Sequence, residues 1–322
     1  MTLPDLSGVS DMPDWYFERE MWHLDGSVDA PAAHRPAGQL HELADLPQYG
    51  WRQEASRQPS HPATPRVDVV LATNRNLPYL AEALQSLREQ DYQNWGLIAV
   101  LDGVPDPEAD LVKRQLRRAV PDVQVYDQPR LGVAAARNLG LSYAAGELVV
   151  FMDDDDIWAT PKLSRQVQLL AGQPELVGCL HACELIGPSG QLLGQQIGGP
   201  LDRDVLFEVR SDGWCGGAFM VRRQIAIACG GYSTAYTVCE DLAFVLELVE
   251  RGPIGWDPQP LIKYRKHPAG QTANQTRMVR TTLQIYRDRL ARALALQDER
   301  GAQQLTNTVI CLQEWLAEPE PS

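Results

Sequence analysis

The sequence predicts an α/β protein with a mixed, mostly parallel sheet flanked by helices, and three observations carry that expectation. Apolar runs of strand length alternate with amphipathic helical stretches from Val67 onward. One run, Leu148–Met152, is apolar at every position, as suits a strand buried on both faces. It leads directly into four consecutive aspartates, Asp153–Asp156, at the strand end where open α/β sheets bind ligands.

Taken in order, residues 1–64 read as an irregular N-terminal extension. Prolines break long elements there, while Trp15, Trp22 and Trp51 are unusual in a disordered tail and suggest that the segment packs on the main domain. Val67–Ala72 is the first strand, followed by a loop from Thr73 to Asn76. A helix over Pro78–Gln90 turns Leu80, Ala83, Leu84 and Leu87 to one face. Leu97–Leu101 is a second strand ending at Asp102-Gly103. The helix Glu108–Ala119 and the strand Val123–Tyr126 complete a βαβαβ series.

The helix Val133–Ala145 stops at Gly146, a residue that tolerates positive φ. Beyond the aspartates, Lys162–Ala171 reads as a helix. Val177–Ile186 and Leu192–Ile197 read as strands joined by a turn at Pro188-Ser189-Gly190. Leu242, Phe244, Val245, Leu248 and Val249 place a helix after Glu240-Asp241, and Leu261–His267 is a late strand. Two helices, Arg277–Arg300 and Ala302–Leu316, and a frayed tail fill residues 273–322.

Composition narrows the function. A chain that is 44% hydrophobic and 22% charged is ordinary for a globular protein. No apolar run approaches a membrane span and no basic-then-apolar leader opens the chain, so the expected address is cytoplasmic. The six cysteines include no CxxC pair, which points to buried free thiols. A net charge of −13 argues against a nucleic-acid partner. For an anionic phosphate ester, the same charge calls for a bridging cation. The first βα loop contains neither GxGxxG nor GxxxxGK[ST], so a dinucleotide fingerprint and a P-loop are unsupported.

Several positions admit two readings each. The four aspartates suit a hard divalent cation, Mn²⁺ or Mg²⁺, or else a solvated acidic turn that caps the next helix. Asp102-Gly103 is a ligand contact or a plain turn. Trp214, in a glycine-rich stretch, offers a flat face to a sugar ring or packs in the core. Glu240-Asp241 complements a helix dipole or supplies a general base. His267 is structural or adds a nitrogen ligand to a metal.

These features, in this order, resemble the family 2 glycosyltransferases of the GT-A fold over roughly Pro65–Thr272. The resemblance rests on Thr73, on Asp102-Gly103, and on Gly132–Asn138 as a G-x-x-x-A-R-N motif. It continues through Ala145-Gly146-Glu147, Phe151–Asp156, Glu240-Asp241 and Tyr264-Arg265-Lys266-His267. It implies a GT-A domain over residues 65–272 and a metal-dependent inverting transfer from a nucleoside-diphosphate sugar, with UDP the favoured nucleotide. Thr73 and Asp102 would contact the base, Arg137 or the nearby Arg130 would help to hold the nucleotide, and Asp153 would face the ribose. Asp155, with Asp156 sharing the role, and His267 would ligate Mn²⁺ or Mg²⁺. Asp241 would be the catalytic base, with Glu240 and Trp214 beside the sugars. The acceptor is open: a glycan, a lipid-linked intermediate, a peptide or a small metabolite. Two other classes remain, a non-catalytic nucleotide-sugar or carbohydrate-binding protein and a metal-dependent nucleotidyltransferase.

Overall fold

The computed structural model describes residues 64–75, 78–208, 215–268, 270 and 274–317. The expected packing of the N-terminal extension, Trp214 and the end of the tail lie outside these residues. The first half of the fold follows the sequence pattern closely. Strands β1 (Val67–Thr73), β2 (Trp95–Asp102), β3 (Gln124–Gln128) and β4 (Leu148–Asp153) alternate with helices α1 (Leu80–Arg88), α2 (Glu108–Ala119) and α3 (Val133–Tyr143). These four strands pair in parallel, in the order β3-β2-β1-β4. Each helix turns its apolar stripe to the sheet, as Leu80, Ala83, Leu84 and Leu87 of α1 do, all buried.

The second half is built differently. After β5 (Ile157–Trp158) and α4 (Lys162–Gly172) come β6 (Gly178–Ile186), β7 (Leu192–Ile197), α5 (Arg203–Phe207), β8 (Met220–Arg222), α6 (Arg223–Ala228), α7 (Glu240–Val249) and β9 (Ile254–Arg265). β8 joins β4 antiparallel and continues the sheet through β6, β9 and β5, with β7 on the side of β6. The strand expected over Leu261–His267 is the last part of the longer β9. It tolerates Pro258 and Pro260 through irregular register opposite His181–Cys183.

Two glycines hold the parallel half together by close approach. A Cβ on Gly140 would stand 2.3 Å from Val70 Cγ1, so α3 lies directly on β1. Gly146 does not adopt the positive φ expected of it. It is required because a Cβ there would meet the Arg66 carbonyl oxygen at 2.6 Å. Asp68, buried in β1, accepts from the backbone N–H groups of Ala145 and Gly146 at 2.6 and 2.7 Å and fixes the turn from α3 into β4.

The C-terminal helices are α8 (Gln275–Ala295) and α9 (Glu299–Ala317). The expected single helix to Arg300 ends earlier, where Gln297 takes a left-handed φ of 58° and reverses the chain. Arg289 ties α8 to α7 through Glu247 and Glu250, at 2.9 and 3.0 Å. Among the described residues no helix is long and apolar enough to cross a membrane.

Candidate active site

Parallel register brings the predicted site residues to one edge of the sheet. Ala72 lies opposite Asp153 and Thr73 opposite Leu101, so Thr73, Asp102 and Asp153 end three neighbouring strands. The Thr73 hydroxyl lies within hydrogen-bonding distance of the Arg75 carbonyl and of Asp154 Oδ2, and its one proton serves either. Burial, with the charge of Asp155 beside it, pushes the Asp154 carboxyl up to about 7.

Asp102 lies at this edge but faces its own loop. Its Oδ1 accepts from Gln128 Nε2 at 2.8 Å and from the Leu131 N–H at 2.7 Å, and its Oδ2 accepts from the Gly132 N–H at 3.0 Å. It therefore braces the entry to α3, and Oδ2, which accepts only one of these bonds, keeps a lone pair for a further donor. Arg137 is likewise engaged inside the protein. Only 5% of its side chain is exposed, and its guanidinium bridges Asp153 Oδ1 at 2.7 Å and Glu240 Oε1 at 2.8 Å. Burial opposes its charge, but Asp153, Tyr232, Glu240 and Asp241 outweigh it and hold the group above its usual range. Arg137 is thus a strut between strand end and helix.

Helix α7 presents Glu240 and Asp241 from its first turn, and Cys239 before them takes a left-handed φ of 56°. Such a conformation is strained for a residue with a Cβ, and here it aims both carboxylates toward Arg137. Tyr232 locks α7 to the sheet. Its ring stacks on Phe244 at 4.5 Å and meets Phe151 edge-on at 4.9 Å, while Asn138 exchanges two hydrogen bonds with its backbone. Asp241 accepts from the Leu242 N–H at 2.9 Å and lies against Gly216. Burial raises its carboxyl above the usual aspartate value although Arg137 pulls it down.

The aspartate run splits by orientation. Asp155 Oδ2 meets His267 Nε2 at 2.9 Å, a contact across 112 residues of chain. Asp156 goes the other way. Its side chain is completely buried, Oδ1 accepts from the Arg265 N–H at 3.0 Å, and Oδ2 has no hydrogen-bond partner. Burial lifts its carboxyl well above the usual range. The structure brings Asp155 and His267 together, while Asp156 lies outside that pair and anchors the aspartate turn to β9.

As a donor set, one carboxylate oxygen and one imidazole nitrogen suit Mn²⁺. Among the described residues no group of three or more His, Cys, Asp or Glu side chains forms a cage. Two protein ligands fit a cation whose other positions are filled by water and by phosphate oxygens of a substrate.

An α/β sheet with an acidic strand end, a buried cationic strut and a helix-borne carboxylate pair defines a class of group-transfer scaffold. Residues 68–227 match the family model described as glycosyl transferase family 2, and through that segment the chain belongs to this family. An uncharacterized glycosyltransferase of Nostoc sp. is 28% identical over 155 residues, covering 47% of this chain and 48% of the relative. The chain spans 35% to 50% of the length of three such curated relatives. Among solved structures, a mannosyltransferase of Pyrobaculum calidifontis in complex with GDP-Man and Mn²⁺ is similar at TM-score 0.56. It is 21% identical, with 83% of this chain and 74% of that chain covered. S. aureus TarS in complex with UDP-GlcNAc is similar at TM-score 0.56 and 17% identity, with 70% and 66% covered. At these identities the likeness shows the fold, which is that of the GT-A glycosyltransferases.

Proposed function

We propose that this chain is a metal-dependent, inverting glycosyltransferase that moves a sugar from a nucleoside-diphosphate donor to an acceptor hydroxyl. The observation that carries the reading is the convergence of Asp155 and His267 at one side of the sheet edge, with Asp241 in the field of Arg137, which bridges Asp153 and Glu240. The family match and the fold it shares with proteins that hold UDP-GlcNAc and GDP-Man support the donor class.

Asp155 and His267 would hold the cation, whose chemistry is Lewis-acid stabilisation of the departing diphosphate. Thr73 and Asp153 face the nucleotide from the ends of β1 and β4. Asp241 accepts the proton of the acceptor hydroxyl as that oxygen attacks the anomeric carbon from the face opposite the leaving group, which inverts configuration. Burial raises its carboxyl above the ordinary aspartate value, which makes the carboxylate a stronger base than an exposed one. The six free cysteines fit a reducing compartment and so a cytoplasmic address.

The test is a panel of UDP- and GDP-sugars incubated with the protein and Mn²⁺, with and without chelator. The reading expects chelator-sensitive release of nucleoside diphosphate. Pyrophosphate formed from a sugar phosphate and a nucleoside triphosphate would identify a nucleotidyltransferase instead. Donor binding with no turnover of any donor or acceptor would identify a binding protein.

A further inference from the structure

Arg265 ends β9 two residues before His267, and both side chains pack against the Tyr79 ring. Only 1% of the Arg265 side chain is exposed, yet none of its bonds serves the core alone. Its Nε donates to the Asp155 carbonyl at 2.9 Å, its Nη1 to the Pro188 carbonyl at 3.1 Å, and its Nη2 pairs with Glu82 at 2.8 Å. Its backbone N–H donates to Asp156 Oδ1 at 3.0 Å. The guanidinium lies 4.3 Å from the centre of the Tyr79 ring, and that ring also meets His267, at 5.1 Å. One side chain therefore touches the backbone of Asp155 directly and His267 through Tyr79. It also fixes both to α1 and to the turn between β6 and β7.

We infer that Arg265 is a positioning residue for the cation site: it sets Asp155 Oδ2 and His267 Nε2 at sharing distance before any cation binds. The inference rests on the cation reading proposed above. Its physical basis is pre-organisation. Asp155 sits in a short turn and His267 beyond a strand end, and neither position is fixed by the sheet ladder itself. A planar fork with donors in fixed directions can hold two backbones and a ring at once, which a lysine ammonium cannot. Groups that orient metal ligands in this way typically change affinity by about 10- to 100-fold when removed.

The experiment is a titration of the full chain with Mn²⁺ in the presence of UDP or GDP, read by electron paramagnetic resonance. Nitrogen modulation from imidazole reports His267 as a ligand. Wild type, His267→Ala, Arg265→Lys and Tyr79→Leu are compared, with thermal unfolding of each. Arg265→Lys keeps the charge and loses the fork. It is expected to weaken Mn²⁺ binding about tenfold or more and to reduce the nitrogen modulation. Tyr79→Leu, which leaves every Arg265 hydrogen bond in place, is expected to shift both in the same direction by a smaller factor. The inference is overturned if the folded Arg265→Lys protein binds Mn²⁺ within twofold of wild type with unchanged nitrogen modulation. Should that variant not fold, unchanged binding and modulation in Tyr79→Leu overturn it equally. A wild type whose bound Mn²⁺ shows no nitrogen modulation, or which binds none, removes the cation reading and this inference together. Loss of both only in His267→Ala leaves the cation reading standing and removes the inference.

Discussion

The two halves of the sheet treat buried charge in opposite ways. In the parallel half, Asp68 and Asp102 are buried but each accepts three hydrogen bonds, so their desolvation is offset where it arises. In the mixed half, Lys162 is completely buried with its ammonium over the Trp158 ring and one hydrogen bond to Gln166, and burial brings it down to about 7. His181 is buried with Nε2 unpaired and is pushed down to about 3, and Asp156 keeps one oxygen without a partner. One half is a braced scaffold. The other carries unfavourable burial at Lys162, His181 and Asp156, the last of these next to Asp155 in the proposed cation site.

Four expectations sharpen or break that contrast. The largest effect belongs to Asp241→Asn, which should lower donor turnover about 10²- to 10⁴-fold while calorimetry shows UDP binding nearly unchanged. Equal loss of binding and turnover would move Asp241 out of the base role.

Lys162→Met comes next. Because burial depresses the folded pKa to about 7 from 10.5, the unfolded chain binds more protons between those values, and stability climbs with pH across that window. Removing the amine should stabilise the protein at pH 7 by about 1–3 kcal/mol after allowing for the unpaired Gln166 oxygen. By pH 10.5 that gain should vanish, and denaturant unfolding at the two pH values checks it. A destabilised variant at pH 7 would mean that the mixed half is as well matched as the parallel one.

Asp102→Ala probes the scaffold side. Loss of the brace leaves two backbone N–H groups and the Gln128 amide unpaired, for about 1–3 kcal/mol of lost stability. Loss of UDP binding with stability unchanged would instead favour the base contact that the family resemblance implies.

The smallest effect is in the pH profile. Turnover should rise with pH as Asp241 ionises, with its acid limb above the ordinary aspartate value of 3.8 because burial raises the carboxyl. Arg137→Lys, which keeps a charge but loses the two-way bridge, should shift that limb modestly. A limb at the ordinary value would indicate a solvated carboxylate.

Much of the parallel half was legible because its signals are local. Val67–Ala72, the stripe of α1 and the apolar run before Asp153 each state their own environment. The aspartate run announced a site at the strand end but not its internal division. Four identical residues carry no mark of which side chain turns inward, and that choice is made by the Arg265 N–H, 109 positions away. Arg137 is equally ambiguous from local sequence. Its partner Glu240 lies 103 residues on, and an arginine in a small-residue helix looks alike whether it grips a ligand or a carboxylate. The sequence pattern marks only Leu261–His267 as strand, whereas β9 begins at Ile254 and absorbs Pro258 and Pro260 where its register against β6 slips. Arg265 gave the clearest missed hint: an arginine two residues before a candidate ligand, at the end of a strand that must be buried, needs partners.

Crystals grown with Mn²⁺ and UDP, measured at the manganese absorption edge, test the central claim most directly. The account predicts an anomalous peak about 2.0–2.3 Å from Asp155 Oδ2 and His267 Nε2, bridging to the diphosphate, with Asp156 still buried against Arg265. A nucleotide bound with no peak there, or Asp155 turned to solvent with the metal elsewhere, would contradict it.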